Sequence, residues 1–428
     1  RNWYLAVTIA RDGDNPTARD RAAGAADDLL AAVAQERVRP LAVNPLLLSI
    51  LAVIHQRGVG LPQRRAELYD ECTQFLLGYW DQVKSGETGR ELSTLGGLTR
   101  AEKRTLLEPV ALWLHERGEQ GTEVHRRDLE AQLAAQFRDT FGEPEPRAKQ
   151  RSREFVDIIV DRAGLLVERE TDTFAFSHLT FQEYLAARAL ADREDFAKQT
   201  LRHLHDPWWR EVHLLEVAHI SSPNTRRSRD LTGELLNGIR SAKSWLEEQL
   251  HRDLLFAFRA LCDVGPLGVD DALRRELVEE TFRLWKSTRL DPWRSGMPAL
   301  FSYSGPTPVG ALVVEALLAL SRTQRIEERK EVLIGLGQLG SAAKRPDVLT
   351  RLFVLSQDKI DSVRSSAAHA LGQLGSTAAT PDVLARLLAL SQDKDEDVRS
   401  SAATALGYLG SATTPRRLES RQERRRTL

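Results

Sequence analysis

The sequence predicts a mainly α-helical protein with one small β-hairpin and a C-terminal α-solenoid. Three observations carry that expectation. Apolar residues recur at helical spacing through most of the chain, as in Leu68, Cys72, Phe75, Leu76, Tyr79 and Val83. Two short runs, Leu165–Arg169 and Thr173–Phe176, flank a polar turn and read as a hairpin. The segment Leu-Gly-Gln-Leu-Gly-Ser at Leu336–Ser341 returns at Leu371–Ser376 and, with Tyr408 for the glutamine, at Leu406–Ser411, a period of 35 residues.

Composition narrows the function classes. The chain has 428 residues, enough for two to four domains, and a formal charge of −1 with 28% charged residues. No global field draws it to nucleic acid or a membrane surface. The two cysteines, Cys72 and Cys262, sit in apolar helical contexts, which excludes a disulfide framework and a cysteine zinc site and suits the cytoplasm. No apolar run reaches the ~18–20 residues of a spanning helix, and no signal peptide is expected. Residue 1 is Arg and the only methionine is Met297, so the chain is expected to be a piece of a longer one.

Taken in order, Asn2–Val7 reads as the middle of an amphipathic helix, and residues 20–37 as a second helix. Asn44 is a good helix N-cap, and Pro45 suits the first helical position, where no N–H is needed. The helix that follows, through Ile54, is apolar nearly all round and is expected to be buried. Leu61-Pro62 is read as opening the next helix, and residues 85–97 as a loop. Helices at 101–117, 126–138 and 147–163 followed by the hairpin give the order of a winged helix. Arg147, Lys149, Arg151 and Arg153 open the third helix, but Glu154, Asp157 and Asp161 share it, so a solvated or interdomain face is expected rather than a DNA reader.

The stretch Phe174–Ala187 is the pivot. It runs from strand, with Phe174 and Phe176, into a helix whose apolar face is Phe181, Tyr184, Leu185 and Ala189. Thr180 and Glu183 fit a capping box, and Leu179 with Tyr184 a hydrophobic staple. His178 stands just outside the helix start, where an imidazole N–H and free backbone donors favour an anion.

Beyond it, residues 191–287 are helical, with the Trp208-Trp209 pair expected in core packing and Phe256–Gly265 in a helix. Residues 287–309 carry Pro292, Pro298, Pro306 and Pro308 with Trp293, Phe301 and Tyr303, and read as a long connection. In the repeats, small Ala and Gly residues allow close stacking, and acidic residues with Ser362 or Asp397 start each second helix. The end of the chain, with Arg416, Arg417, Arg421, Arg424, Arg425 and Arg426, reads as a basic tail.

Phe-x-Phe-Ser-His-Leu-Thr-Phe-Gln-Glu-Tyr-Leu-Ala-Ala resembles the end of the winged-helix domain of NACHT-type NTPases, members of the STAND class that includes the NOD-like receptors. The Asn-Pro-Leu-Leu-Leu at Asn44–Leu48, the Leu-Pro-x-x-Arg-x-x-Leu-Tyr at Leu61–Tyr69 and the Trp-Arg-Glu-Val at Trp209–Val212 resemble the same family. Val-Arg-x-x-Ala-x-x-Ala-Leu-Gly-type units at Val363 and Val398 resemble HEAT repeats. The resemblance implies that His178 touches the β-phosphate of ADP, that Pro45 packs near the adenine, and that ATP or ADP with Mg is bound mainly by a domain upstream of this chain. It implies an ATP/ADP-switched sensor in bacterial defence or signalling, a protein ligand on the concave face of the solenoid, and a homo-oligomer when active. Nucleic acid and membrane are not expected partners.

The expected organisation is a helical domain at 1–97, a winged helix at 98–190, a second helical domain and connection at 191–310, HEAT repeats at 311–415 and a basic tail at 416–428. No Gly-x-x-x-x-Gly-Lys-Ser/Thr, His-Glu-x-x-His or Gly-x-Ser-x-Gly occurs, so no catalytic residue is nominated. His203, His205, His213 and His219 do not share a helical face, so no metal site is nominated either. The alternative function is a nucleotide-independent HEAT scaffold that binds a protein partner.

Overall fold

A computed structural model describes residues 2–33, 38, 42–43, 45–56, 61–62, 64–88, 98–287, 297 and 300–413. The Asn44 cap, most of the 85–97 loop, Pro292, Trp293, Pro298 and the 416–428 tail lie outside the described residues. The chain divides into two units, Arg1–Asp253 with Asp263–Gly268, and Leu254–Cys262 with Val269–Leu428. The segment expected as one domain at 191–310 is therefore shared between them.

The first unit opens with helices α1 (Asn2–Asp12), α2 (Pro16–Val33) and α3 (Pro45–Ile54). Helix α3 is not buried all round: Leu47, Ile50, Leu51 and Ile54 enter the core while Pro45 and Ser49 are exposed and Leu48 is 37% exposed. An apolar sequence set the helix, and its position at the margin of the core left one face open. Helix α4 (Arg65–Thr88) starts three residues after Pro62 and runs on into the stretch expected as a loop. Its Leu68, Tyr69, Cys72 and Leu77 belong to the core.

Helix α5 (Arg100–Glu116) is started by a true capping box: Thr99 Oγ1 accepts from Glu102 N–H, and the Glu102 carboxylate accepts from Thr99 N–H at 2.7 Å. Strand β1 (Glu123–His125) leads into α6 (Arg126–Phe141), which ends at Gly142 with φ +67°. Helix α7 (Glu145–Ile158) continues as a π-turn over Ile159–Ala163. The hairpin β2 (Leu166–Glu170) and β3 (Thr173–Phe176) follows, with Asp172 at φ +56° in the turn. Strand β1 pairs with β3, giving an antiparallel sheet in the order β1-β3-β2, with Val124 opposite Phe174. The sequence signalled only the hairpin, because a three-residue strand with one apolar position has no readable period. As the central strand, β3 is buried along Phe174, Ala175 and Phe176, so the expected alternation does not mark an exposed face.

Helix α8 (Leu179–Ala191) then crosses α5, and α9 (Phe196–Arg202), α10 (Arg210–Ser221) and α11 (Arg226–Arg240) follow in the same unit. One continuous core reaches from Val38 through α3, α4 and the winged helix to Ala218 on α10. Trp209 is 6% exposed, with His203 stacked on it at 4.7 Å and His213 at 5.6 Å, and the Trp208 indole donates to the His115 carbonyl at 2.9 Å. The Trp pair is core packing.

Helix α12 (Arg252–Asp263) contributes its middle to the second unit, which continues with α13 (Asp271–Ser287). Part of the segment expected as a plain connection is helical and central. Phe301 is fully buried, stacks on Phe282 at 4.5 Å and meets Trp285 edge-on at 5.4 Å. Its prolines masked a short helix built on buried aromatics.

Three helix pairs follow: α14 (Pro308–Leu320) with α15 (Ile326–Gln338), α16 (Pro346–Leu355) with α17 (Asp361–Gln373), and α18 (Pro381–Leu390) with α19 (Glu396–Thr413). Glycine permits their approach. A Cβ on Gly372 would meet the Ala405 Cα at 2.6 Å. Arginines repeat the same bonds one unit apart. Arg351 reaches Ser321, and Arg386 reaches Ser356. Arg329 pairs with Asp358, and Arg364 makes a two-bond fork with Asp393 at 2.8 and 2.9 Å. The second helices start at Asp361 and Glu396, one residue before the expected Ser362 and Asp397. Asp395 caps α19 by accepting the Val398 N–H, whereas before α17 Asp358 accepts the Ile360 N–H in the turn and no side chain caps the helix.

Candidate functional site

The site is built where β3 turns into α8. Ser177 N–H donates to the Leu165 carbonyl at 2.8 Å, which closes the end of the hairpin and delivers His178 to the helix start. His178 is itself the N-cap: its backbone is extended at φ −146°, and its Nδ1 accepts the Thr180 N–H at 3.2 Å. The Thr180 hydroxyl is also 2.8 Å from Nδ1.

This corrects the expected capping box. The helix begins at Leu179, so Thr180 lies inside its first turn, and Glu183 points to the interior at 8% exposure. Thr-x-x-Glu fits the box in sequence, but the extended backbone falls at His178. The staple is absent too, since Leu179 is 37% exposed while Tyr184 is buried.

A backbone N–H can only donate, so Nδ1 of His178 is an acceptor and carries no proton. In the neutral ring the proton is on Nε2. Among the described residues Nε2 has no hydrogen-bond partner, and the ring is partly exposed. Burial holds the His178 pKa below its ordinary value, which favours the neutral form. Pro45 lies exposed at the first turn of α3. Its helix and α8 contribute to one core, but among the described residues no hydrogen bond or ion pair joins Pro45 to His178.

In the interior of the first unit, the residues of three recognisable motifs converge. Arg65 on α4 pairs with Glu211 on α10 and lies 3.7 Å from Asp263. Tyr69 stacks on Tyr184 at 5.7 Å. Glu183, in the same interior, is pushed up to about 7 by burial, with the Glu211 charge adding to the rise against the pull of Arg65.

A second group was not nominated from the sequence. Arg188 on α8 binds Glu108 on α5, donates to the Tyr184 hydroxyl at 3.4 Å and to His219 Nδ1 on α10 at 3.2 Å, and lies 3.8 Å from Asp70 on α4. Tyr184 donates to Asp70 at 2.7 Å, and Arg104 holds the same carboxylate at 2.9 Å. Burial first, then the Arg188 charge, lowers His219 to about 4. The sequence signal was Tyr184 and Arg188 at i, i+4 on an otherwise apolar helix.

The other histidines have separate partners. His205 meets Asp253, His213 meets Glu216 at 3.3 Å, and His203 stacks on Trp209. The basic start of α7 is neutralised locally: Lys149 lies 2.8 Å from Glu145, Arg153 3.5 Å from Glu130, and Arg151 pairs with Glu143. That leaves a mixed face rather than a phosphate-binding stripe. Among the described residues no helix is long and apolar enough to cross a membrane.

Comparison with known proteins identifies two segments of the chain. Residues 65–190 match the winged helix-turn-helix domain C-terminal to NACHT, and residues 314–407 match HEAT repeats. The first match takes in α4, which packs into the same core as α5 and α8. No curated protein matches the chain. Two solved structures of engineered proteins from the Northeast Structural Genomics Consortium are similar to it in part. One has 18% identity over 50% of this chain and 97% of its own, with a TM-score of 0.27. The other has 16% identity over 81% of this chain and 95% of its own, with a TM-score of 0.26. At such scores neither bears on fold or function. The protein carries a winged helix-turn-helix domain of the kind that lies C-terminal to NACHT, together with HEAT repeats.

Proposed function

We propose that this chain is the regulatory and sensor portion of an ATP/ADP-switched NACHT-type signalling NTPase acting in bacterial defence or signalling. The carrying observation is His178, whose Nε2–H has no partner among the described residues and stands at the start of α8 within the family-matched segment. The donor set fits a phosphate oxygen: a neutral N–H donor beside the positive end of a helix. A bound ADP would supply that oxygen, with Mg and most nucleotide contacts coming from a domain outside this chain. His178 would donate to it only when the winged helix lies over the nucleotide, and Pro45 would pack its exposed ring near the base. The contact would exist in the closed state alone and so bias a two-state equilibrium. The HEAT repeats would recognise a protein trigger on their concave face, and release would permit homo-oligomer assembly.

The test is His178→Ala in the intact protein. A hydrogen bond to a charged group contributes ~1.5–3 kcal/mol. Its loss is expected to shift the closed/open ratio roughly tenfold to a hundredfold, seen as less ADP retained through purification and higher output without trigger. Wild-type retention and wild-type basal output in a folded variant would remove the reading.

A further inference from the structure

We propose that Thr180 is the positioning residue for His178: its N–H and its hydroxyl both donate to Nδ1, fixing the ring as the neutral Nε2–H tautomer. The site would then meet an anion with one directed N–H rather than with a positive charge. The ligand-facing consequence rests on the nucleotide reading above; the tautomer itself does not.

The geometry leaves little freedom. The Thr180 N–H, at 3.2 Å, cannot turn away, because α8 fixes the peptide that carries it. The Thr180 hydroxyl, at 2.8 Å, finds no proton on Nδ1 to accept, so it donates as well. Two donors share one lone pair, and a proton added to that nitrogen would face both. The start of α8 adds a partial positive charge that also opposes an imidazolium. Burial works in the same direction and lowers the His178 pKa. The three effects keep the ring neutral near pH 7. Nε2 is then a donor whose strength does not change with pH across the neutral range. A cationic histidine would instead lose its attraction for phosphate as pH rose through its titration.

The residue type follows from this. Serine would preserve both donors. Valine would preserve the shape and the N–H but lose the shorter bond.

The tautomer is readable without any ligand. The full chain labelled with 15N-histidine reports the protonation of each ring nitrogen by NMR, and the His178 signal is assigned as the one lost in His178→Gln. The expected parent spectrum shows His178 protonated on Nε2 alone. Thr180→Val is expected to raise the His178 pKa by about 0.4–1 unit, the worth of one net hydrogen bond, and to admit the Nδ1–H tautomer. Thr180→Ser is expected to match the parent. A parent ring protonated on Nδ1, a titration unchanged in Thr180→Val, or a serine variant that behaves like the valine one would each overturn the proposal. Loss of ADP retention in Thr180→Val but not in Thr180→Ser ties the tautomer to the nucleotide. If His178→Ala retains ADP normally while the NMR result stands, the nucleotide reading fails and the positioning role survives.

Discussion

At the scale of single residues, the part of the chain around α8 is organised by groups whose ionisation is set by burial. Glu183 is the clearest case. It shares an interior with Glu211, and Arg65 is engaged with both Glu211 and Asp263. Its pKa is raised from 4.5 to about 7, so the folded state holds a proton that the unfolded chain has lost across that window. The linked stability is fully present below pH 4.5 and falls as pH rises through about 7, by about 3 kcal/mol in total. Glu183→Gln should remove this dependence. Urea unfolding of parent and variant from pH 4.5 to 8 is expected to show the parent losing stability relative to the variant as pH rises. Parallel profiles would place the Glu183 carboxylate in a better-solvated position than the one described. The sequence marked Glu183 as important but gave it the wrong task, because Thr-x-x-Glu spacing says nothing about which way α8 faces.

At the scale of elements, the helical repeats depend on close approach at one position. Gly337, Gly372 and Gly407 recur at the same register, yet their surroundings differ. A Cβ on Gly372 would lie 2.6 Å from Ala405 Cα and 2.8 Å from its Cβ, while one on Gly407 would meet nothing within 4 Å among the described residues. Gly372→Ala should therefore force α17 and α19 apart at a cost of ~1–3 kcal/mol. Gly407→Ala should be neutral or stabilising by ~0.5–1 kcal/mol, since alanine is the better helix former. Thermal melts of the two variants should move in opposite directions. Shifts of the same sign would mean that helix propensity, rather than packing, governs this register. The arginine bonds add direction to the stack, since Arg351 and Arg386 satisfy the end of the preceding first helix at Ser321 and Ser356. The Arg364 fork holds Asp393 below the usual carboxylate range.

At the scale of the whole molecule, the two units carry different proposed tasks, nucleotide response in the first and trigger recognition in the second. Residues 1–428 contain no Gly-x-x-x-x-Gly-Lys-Ser/Thr, so the purified chain is expected to hydrolyse ATP no faster than a blank. Turnover that survives repurification and depends on a residue of this chain would overturn the assignment of tasks. Removing residues 311–415 from the intact protein should abolish the response to trigger while leaving ADP retention unchanged. A fall in ADP retention would make the repeats part of the nucleotide clamp.

The sequence by itself determined the helical class, the wing, the repeats and the position of His178. Each of these is written in contiguous residues: a helical or two-residue period, a 35-residue self-similarity, or a motif within one segment. It failed where identity depends on what lies across a gap. Which residue caps α8 was decided by the extended backbone at His178, and the imidazole took the role assigned to the Thr180 hydroxyl. The third strand, the buried face of α3 and the central place of Phe301 depended on neighbours distant in the chain. The Arg188 network needed four helices to bring Asp70, Glu108, Tyr184 and His219 to one guanidinium. Local pattern fixes which residues are apolar, helical or turn-forming, whereas a buried charge is stable only beside partners that the tertiary structure supplies.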